Sequence, residues 1–418
     1  MQPKFASSGY RKIIQDFFPD LEKHTAIYKD LHENPELPCQ EQRTAAVVAD
    51  RLETLGFEVK RNIGGHGVVG ILRNGQGQNV LLRAELDALP LKENTGLPYA
   101  SKVEQVDADG IRKSAMHACA HDMHMACLLG VAALLLEAKR SWSGTVITLF
   151  QPNEERLLGA KSMIDDGLFS KIPLPDVCLA QHCVPTKSGT IAVKPGRVLG
   201  YLDSLNVRVY GRGAHGATPQ LGIDPIILAA SILTRLQTIV SREIDPKEPV
   251  VIGCGTFHAG TDASTIPEYA DFQVDVRTFS ESTQKAAKSA VECIIRHECA
   301  VSGSPKAPHI VTTTSSPAID NDEVATRQFT QVLESYYGSD SSKVIQVMPP
   351  DIVADDFVIL SLPPGGRPPE TWEKANREGR LWDLPPTHSA VYAPAIEPTL
   401  RTGIEALALS ALTFLEII

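Results

Sequence analysis

The sequence predicts an α/β protein: a mainly parallel sheet flanked by helices, with a second, smaller α/β domain inserted into it. Three observations predict it. The runs NVLLRAEL, GTVITLFQ and DVCLAQHCV are β-branched or apolar at nearly every position, as strands covered on both faces are. Between the first two lies MACLLGVAALLLEAK, an apolar run of helical length. Beyond about Leu199 the pattern changes to strand, helix, two strands, helix and strand.

Each element has a local reason. The opening part reads as helix, helix and then strands. TAAVVADRLETLGFEVKR has apolar residues at helical spacing to Leu55, Gly56 suited to a helix end, and then strand alternation. Beyond Leu199 the strands are SLNVRVYG, VVIGCGTFH, DFQVDVRTF and HIVTTTS, and the helices PIILAASILTRLQTIVS and QKAAKSAVECIIRHE. That βαββαβ order is the ferredoxin-like unit. The expected division is 1–199 with 317–418 for the larger domain and 200–316 for the insertion. SLPPGGRPPETW, 361–372, reads as a Pro/Gly-rich loop without assignable chemistry.

Composition bounds the function. A chain of 418 residues with 43% hydrophobic content exceeds one typical domain. Its net charge of −10 comes without basic runs, which argues against nucleic acid or an anionic membrane as a partner and favours a small molecule or peptide. Eight scattered cysteines, among them Cys127, Cys178 and Cys254 in apolar contexts, read mostly as reduced core residues. The start has no uninterrupted apolar segment, and no later run reaches about 18 apolar residues, so the expectation is a soluble, cytoplasmic protein.

Polar groups gather where the buried strands stop: Glu85 and Asp87, then Glu154 and Glu155, then His182. Open α/β sheets bind ligands at the carboxyl ends of their strands, so these groups can converge. HACAHDMH, 117–124, adds Cys119 and His121 two residues apart, able to reach one point with a thiolate and an imidazole. The same stretch also reads as a small buried cysteine beside a helix-capping Asp122. QPNEER ends a buried strand with two adjacent carboxylates, which repel unless a cation is near; a solvated acidic loop is the other reading. If a metal is held, one glutamate ligates and the other acts as general base toward water. His182 and His388 are lone histidines, and His215, among glycines in GRGAHGATP, is either a turn residue or presented to a cleft.

The elements HENPEL, RAELDALP, HACAHDMH, QPNEE, AQHCV, GRGAHGATP, LQTIVSR, STIPEYADFQVDVR, DDF and PPTHS span almost the whole chain. In this order they resemble the aminoacylase, carboxypeptidase G and hippurate hydrolase family of dinuclear metalloamidases, particularly its indole-acetyl-amino-acid hydrolase branch. The resemblance implies that Cys119, His121, Glu155, His182 and His388 hold two divalent ions, with Cys119 bridging. Zinc or manganese is expected, with cobalt or nickel as alternatives. It implies Glu154 as general base and acid, His215 as oxyanion support, Arg277 and its neighbours as receivers of a substrate carboxylate, and the insertion as a lid and homodimerisation domain. It differs from the family pattern at Ala120, where glycine is usual and where the methyl group calls for an ordinary backbone conformation. Ser264 replaces an asparagine, and Asp355 a glutamate. The expected reaction is hydrolysis of an N-acyl or aryl-acyl amino acid; a dipeptidase and a catalytically silent binding protein are the alternatives.

Overall fold

The computed structural model describes residues 7–107, 110–338, 343–345, 354–355 and 365–418. The chain divides into two compact units, the first within Met1–Gly196, Asp320–Pro349 and Asp356–Ile418, the second within Arg197–Ile319 and Pro350–Asp355.

The first unit opens with α1 (Ser7–Phe17), α2 (Leu21–Glu33) and α3 (Gln42–Thr54). Three helices stand where two were expected, because the chain breaks at Pro19 and Asp20 caps α2, its carboxylate accepting from the Glu22 amide. Gly56 adopts φ +84 just past α3, the left-handed conformation a glycine takes there without a Cβ clash. The chain continues through β1 (Glu58–Ile63), β2 (Gly67–Asn74), β3 (Asn79–Glu85), α4 (His121–Glu137), β4 (Trp142–Gln151), α5 (Gly159–Asp165) and β5 (Val177–Ala180).

The sheet order is β1-β2-β4-β3-β5. The β3–β4 and β3–β5 pairs are parallel and the β1–β2 and β2–β4 pairs antiparallel, so β1, β3, β4 and β5 run one way and β2 against them. Both faces are covered, as the apolar runs predict. One carries the large core of Val80, Leu82, Val146 and Phe150 with α4; the other carries Leu81, Ile147 and Leu149 with Met163 of α5. DVCLAQHCV is not one strand. β5 stops at Ala180 and a new strand starts at Val184, because the Cys183 amide leaves the ladder to donate to His124 Nε2 at 2.7 Å.

The second unit contains β6 (Tyr201–Tyr210), α6 (Pro225–Thr238), β7 (Val250–Ala259), β8 (Tyr269–Thr278), α7 (Glu281–Val301) and β9 (His309–Ser316). Its four strands pair in the order β7-β8-β6-β9, all antiparallel. Along β8 the residues Ala270, Phe272, Val274 and Val276 are buried with α6 and α7, while Asp271, Gln273, Asp275 and Arg277 lie on the other face. Asp224 caps α6 and Ser280 caps α7 through side-chain bonds to backbone amides. Cys254, expected in the core, is exposed: β7 is an edge strand whose register shifts between Cys254 and Thr256.

The first unit resumes with α8 (Glu323–Tyr337), α9 (Pro369–Arg377) and α10 (Ile396–Phe414). α10 packs on α4 at two glycines. A Cβ on Gly130 would stand 2.6 Å from Ile404 Cδ1, and one on Gly403 2.6 Å from Cys127 Sγ. The Pro/Gly-rich stretch is not simply a loop: 361–364 lie outside the described residues, but Gly365–Arg367 pairs with Val184–Lys187 as a parallel strand, and α9 follows. Among the described residues no helix is long and apolar enough to cross a membrane.

Candidate metal centre

β3, β4 and β5 end side by side, and the loops leaving them carry Asp87, Glu154 with Glu155, and His182. α4 begins there, with Cys119 just before its first residue, His121. The parallel strands thus deliver these groups to one edge of the sheet, where open α/β sheets bind ligands. Cys119 Sγ lies 3.4 Å from His182 Nε2 and 3.2 Å from His388 Nε2. His121 Nε2 lies 3.6 Å from Glu154 Oε2 and 3.9 Å from Glu155 Oε1, and His388 Nε2 lies 3.5 Å from Glu155 Oε2. Both glutamates reach toward His121. His388 arrives on a left-handed backbone (φ 61), its amide donating to the Ala118 carbonyl.

The imidazole tautomers are set from behind. His121 Nδ1 is 2.8 Å from the Asp87 carbonyl and His182 Nδ1 3.0 Å from the Cys183 carbonyl. Carbonyls only accept, so Nδ1 carries the proton and each Nε2 lone pair points inward. Burial holds His121 well below the usual histidine range and brings His182 down to about 3, so both are neutral at pH 7. His121 Nε2 is buried and makes no hydrogen bond among the described residues.

A soft sulfur, imidazole nitrogens and carboxylates fit a borderline divalent ion. Ligand atoms of Cys119, His121 and His182 lie within 4.8 Å of one another, and so do those of Cys119, Glu155 and His388. The two sets share Cys119, as a thiolate between two ions would require. Glu85, His121 and His124 also cluster. His124, however, is used up: Nδ1 lies 2.7 Å from Glu85 Oε2, and Nε2 accepts from the Cys183 amide. Glu85 in turn pairs with buried Arg83.

Two expectations are corrected. Ala120 does not take an ordinary conformation; at φ 65, ψ 24 it occupies the left-handed region natural to the family's glycine, and it is fully buried. The turn that sets Cys119 beside His121 demands that conformation of whatever residue stands there. Asp122 does not cap α4, whose N-cap is Ala120 and has no side-chain capping bond. It accepts instead from the Met123 amide and lies 2.6 Å from His32 Nδ1, whose Nε2 lies 3.0 Å from Glu93.

Asp87 has a role the sequence left unassigned. Its oxygens accept the consecutive amides of Glu154 and Glu155, each at 3.0 Å, and so orient the acidic pair. Burial, then the charge of Glu41, lifts its carboxyl to about 8 against those bonds. The E-L-D spacing at a strand end was the only available signal.

In the second unit His215 and Ser264 come together: His215 pairs with Thr265, and the Gly216 amide donates to the Ser264 carbonyl at 2.6 Å. Ser264 is exposed, its hydroxyl 2.5 Å from Asp262. Arg277, beside Asp275 at 3.2 Å, lies eight residues beyond Tyr269 at the opposite end of β8, roughly 26 Å along the strand. Asp355 also belongs to this unit, and its carbonyl accepts from Ser316.

Comparison with known proteins matches 81–363 to a model of peptidase family M20/M25/M40. A hippurate hydrolase of Campylobacter jejuni is 40% identical over 280 residues, 66% of this chain and 69% of that protein. Thermostable carboxypeptidase 1 of Saccharolobus solfataricus is 34% identical over 394 residues, 93% of this chain and 94% of its own. A crystal structure of a dinuclear metal-binding M20 peptidase from Bacillus subtilis superposes with a TM-score of 0.70 at 23% identity, covering 94% of this chain and 98% of that one.

Proposed function

The chain belongs to peptidase family M20/M25/M40, and from that premise we propose that it is a divalent-metal amidohydrolase that cleaves N-acyl amino acids to a carboxylic acid and an amino acid. The names of its relatives, hippurate hydrolase and N-acetyl-L-cysteine deacetylase, support that substrate class. The observation that carries the reading is the cluster of Cys119, His121, Glu155, His182 and His388 donor atoms beside Glu154.

These five residues would hold two ions, zinc or manganese, and Cys119 belongs to both candidate ligand sets. Bound divalent ions supply polarisation of the amide carbonyl and lower the pKa of water to near neutrality. Glu154 takes the proton from the attacking water and hands it to the departing amine. Asp87 keeps Glu154 and Glu155 in register through their amides. His215 stabilises the oxyanion and Arg277 receives the substrate carboxylate. His215 is proposed to serve a partner's substrate in a homodimer built through the second unit. A cytoplasmic setting completes the proposal.

The test separates the two glutamates. Glu154→Gln is expected to lower kcat on an N-acetyl amino acid by about 10²- to 10⁴-fold with metal content unchanged, because an amide cannot relay a proton. Glu155→Gln is expected to lower metal content itself. Near-native turnover by Glu154→Gln would remove it as the base.

A further inference from the structure

HENPEL and the residues after it lie far from the acidic pair in sequence, and nothing in the proposed chemistry uses them. The segment nevertheless braces the strand ends. The Ala88 amide donates to the Glu36 carbonyl at 2.8 Å, and the Glu36 carboxylate caps α3 by accepting from the Arg43 and Thr44 amides. Glu41, formally the N-cap of α3, makes no side-chain bond to its own helix. Its fully buried carboxylate turns away instead. Oε1 accepts from the Cys39 amide at 2.9 Å and from the Asn153 amide at 2.8 Å.

Both donors are non-glycine residues in the left-handed region, Cys39 at φ 67 and Asn153 at φ 54. A non-glycine residue is strained there, cysteine more than asparagine, and is held by bonds from its surroundings. One carboxylate oxygen therefore ties together two left-handed points of the backbone, and one of them immediately precedes Glu154. The turn beyond winds on Asn153: its carbonyl accepts from the Gly159 amide at 3.1 Å, and Leu157 is again left-handed at φ 55. Asp87 holds the amides of Glu154 and Glu155, but among these bonds only Glu41 holds that of Asn153.

We propose that Glu41 is a positioning residue for the reaction, fixing the left-handed Asn153 so that the Glu154 carboxylate meets the attacking water in the productive geometry. The inference rests on Glu154 as general base. Its own evidence is the two-amide bond to a buried carboxylate that does not cap its helix.

Glu41→Ala removes the acceptor, whereas Glu41→Gln keeps a carbonyl oxygen of nearly the same reach. Each is compared with wild type for kcat and KM on an N-acetyl amino acid, metal content, and hydrogen exchange at the Asn153 amide. For Glu41→Ala, kcat is expected to fall about 10- to 100-fold, the scale of an ångström-sized misplacement, with KM changed less than about threefold and metal retained. Exchange at Asn153 should rise. Glu41→Gln is expected to rescue all of these to within about threefold of wild type.

A merely structural role would lower stability without splitting kcat from KM, and native exchange at Asn153 in Glu41→Ala would overturn the bond itself. Faster exchange with native kcat would overturn the positioning role, and so would a Gln variant as impaired as the Ala variant. Where Glu41→Ala does not fold, Glu41→Asp, one carbon shorter, takes its place with the same expectations. Failure of Glu154 as the base would appear instead as turnover by Glu154→Gln, with the exchange result at Asn153 unaffected.

Discussion

His32→Leu is the substitution whose cost the structure specifies most closely. His32 sits between Asp122, at 2.6 Å, and Glu93, at 3.0 Å, with all three side chains fully buried. Burial alone would push the imidazole down, but its hydrogen bonds to Asp122 and Glu93 outweigh that and lift it to about 10. It is therefore an imidazolium at pH 7. Leucine preserves the apolar packing beside Tyr28 and Tyr99 but leaves two carboxylates without their cation. Removing one member of a buried ion pair typically costs about 3–5 kcal/mol. Asp122 keeps the Met123 amide and Glu93 keeps Ser101, which places the expected loss near about 3 kcal/mol.

Urea unfolding of chelator-treated protein measures it, since Asp122 adjoins His121. The histidine's folded value lies above its ordinary one, so its contribution is complete below the ordinary histidine range and is lost as pH rises through about 10. Asp122 and Glu93 are held below the usual carboxylate range, so theirs is present above that range and lost as pH falls toward strong acid. The gap between wild type and His32→Leu should therefore be widest near neutrality and narrow above pH 10. A loss below about 1 kcal/mol at pH 7, the scale of an exposed pair, would refute the buried imidazolium. So would a gap that persists unchanged at high pH.

Ser264→Asn restores the longer group usual in the family at an exposed position, and should shift KM or amino-acid preference more than kcat; identical specificity profiles would take Ser264 out of substrate recognition. Glu154→Gln and His215→Ala, each inactive alone, should together recover roughly a quarter of native activity when unfolded and refolded as a mixture, because half the dimers are mixed and each rebuilds one of two sites. Absence of complementation in verified mixed dimers would return His215 to its own chain.

What the sequence revealed follows from where its signals lie. β3 and β4 were visible because strands covered on both faces carry continuous apolar runs, and the residues that follow them were visible because carboxylates and histidines rarely gather there without cause. His182 was legible as a strand-end residue, although its strand breaks just before it. The supporting groups were hidden because their partners are distant in sequence. The role of His124 was not legible, because Glu85 and the Cys183 amide, which occupy its two nitrogens, are 39 and 59 residues away. Asp122 accepts one helix amide, that of Met123, but its other oxygen goes to His32, 90 residues away. Ala120 was misread because backbone dihedrals are set by the turn, not by the side chain. His388 follows a stretch rich in prolines, and only tertiary structure brings it to Cys119.

Metal content per chain tests the central claim most directly. Elemental analysis of the protein after reconstitution with zinc or manganese should find two ions per wild-type chain. Cys119→Ala, which removes the sulfur shared by both ligand sets, and His182→Ala should each hold fewer. Two ions retained in both variants, or none in the wild type, would contradict a metal centre built on these residues.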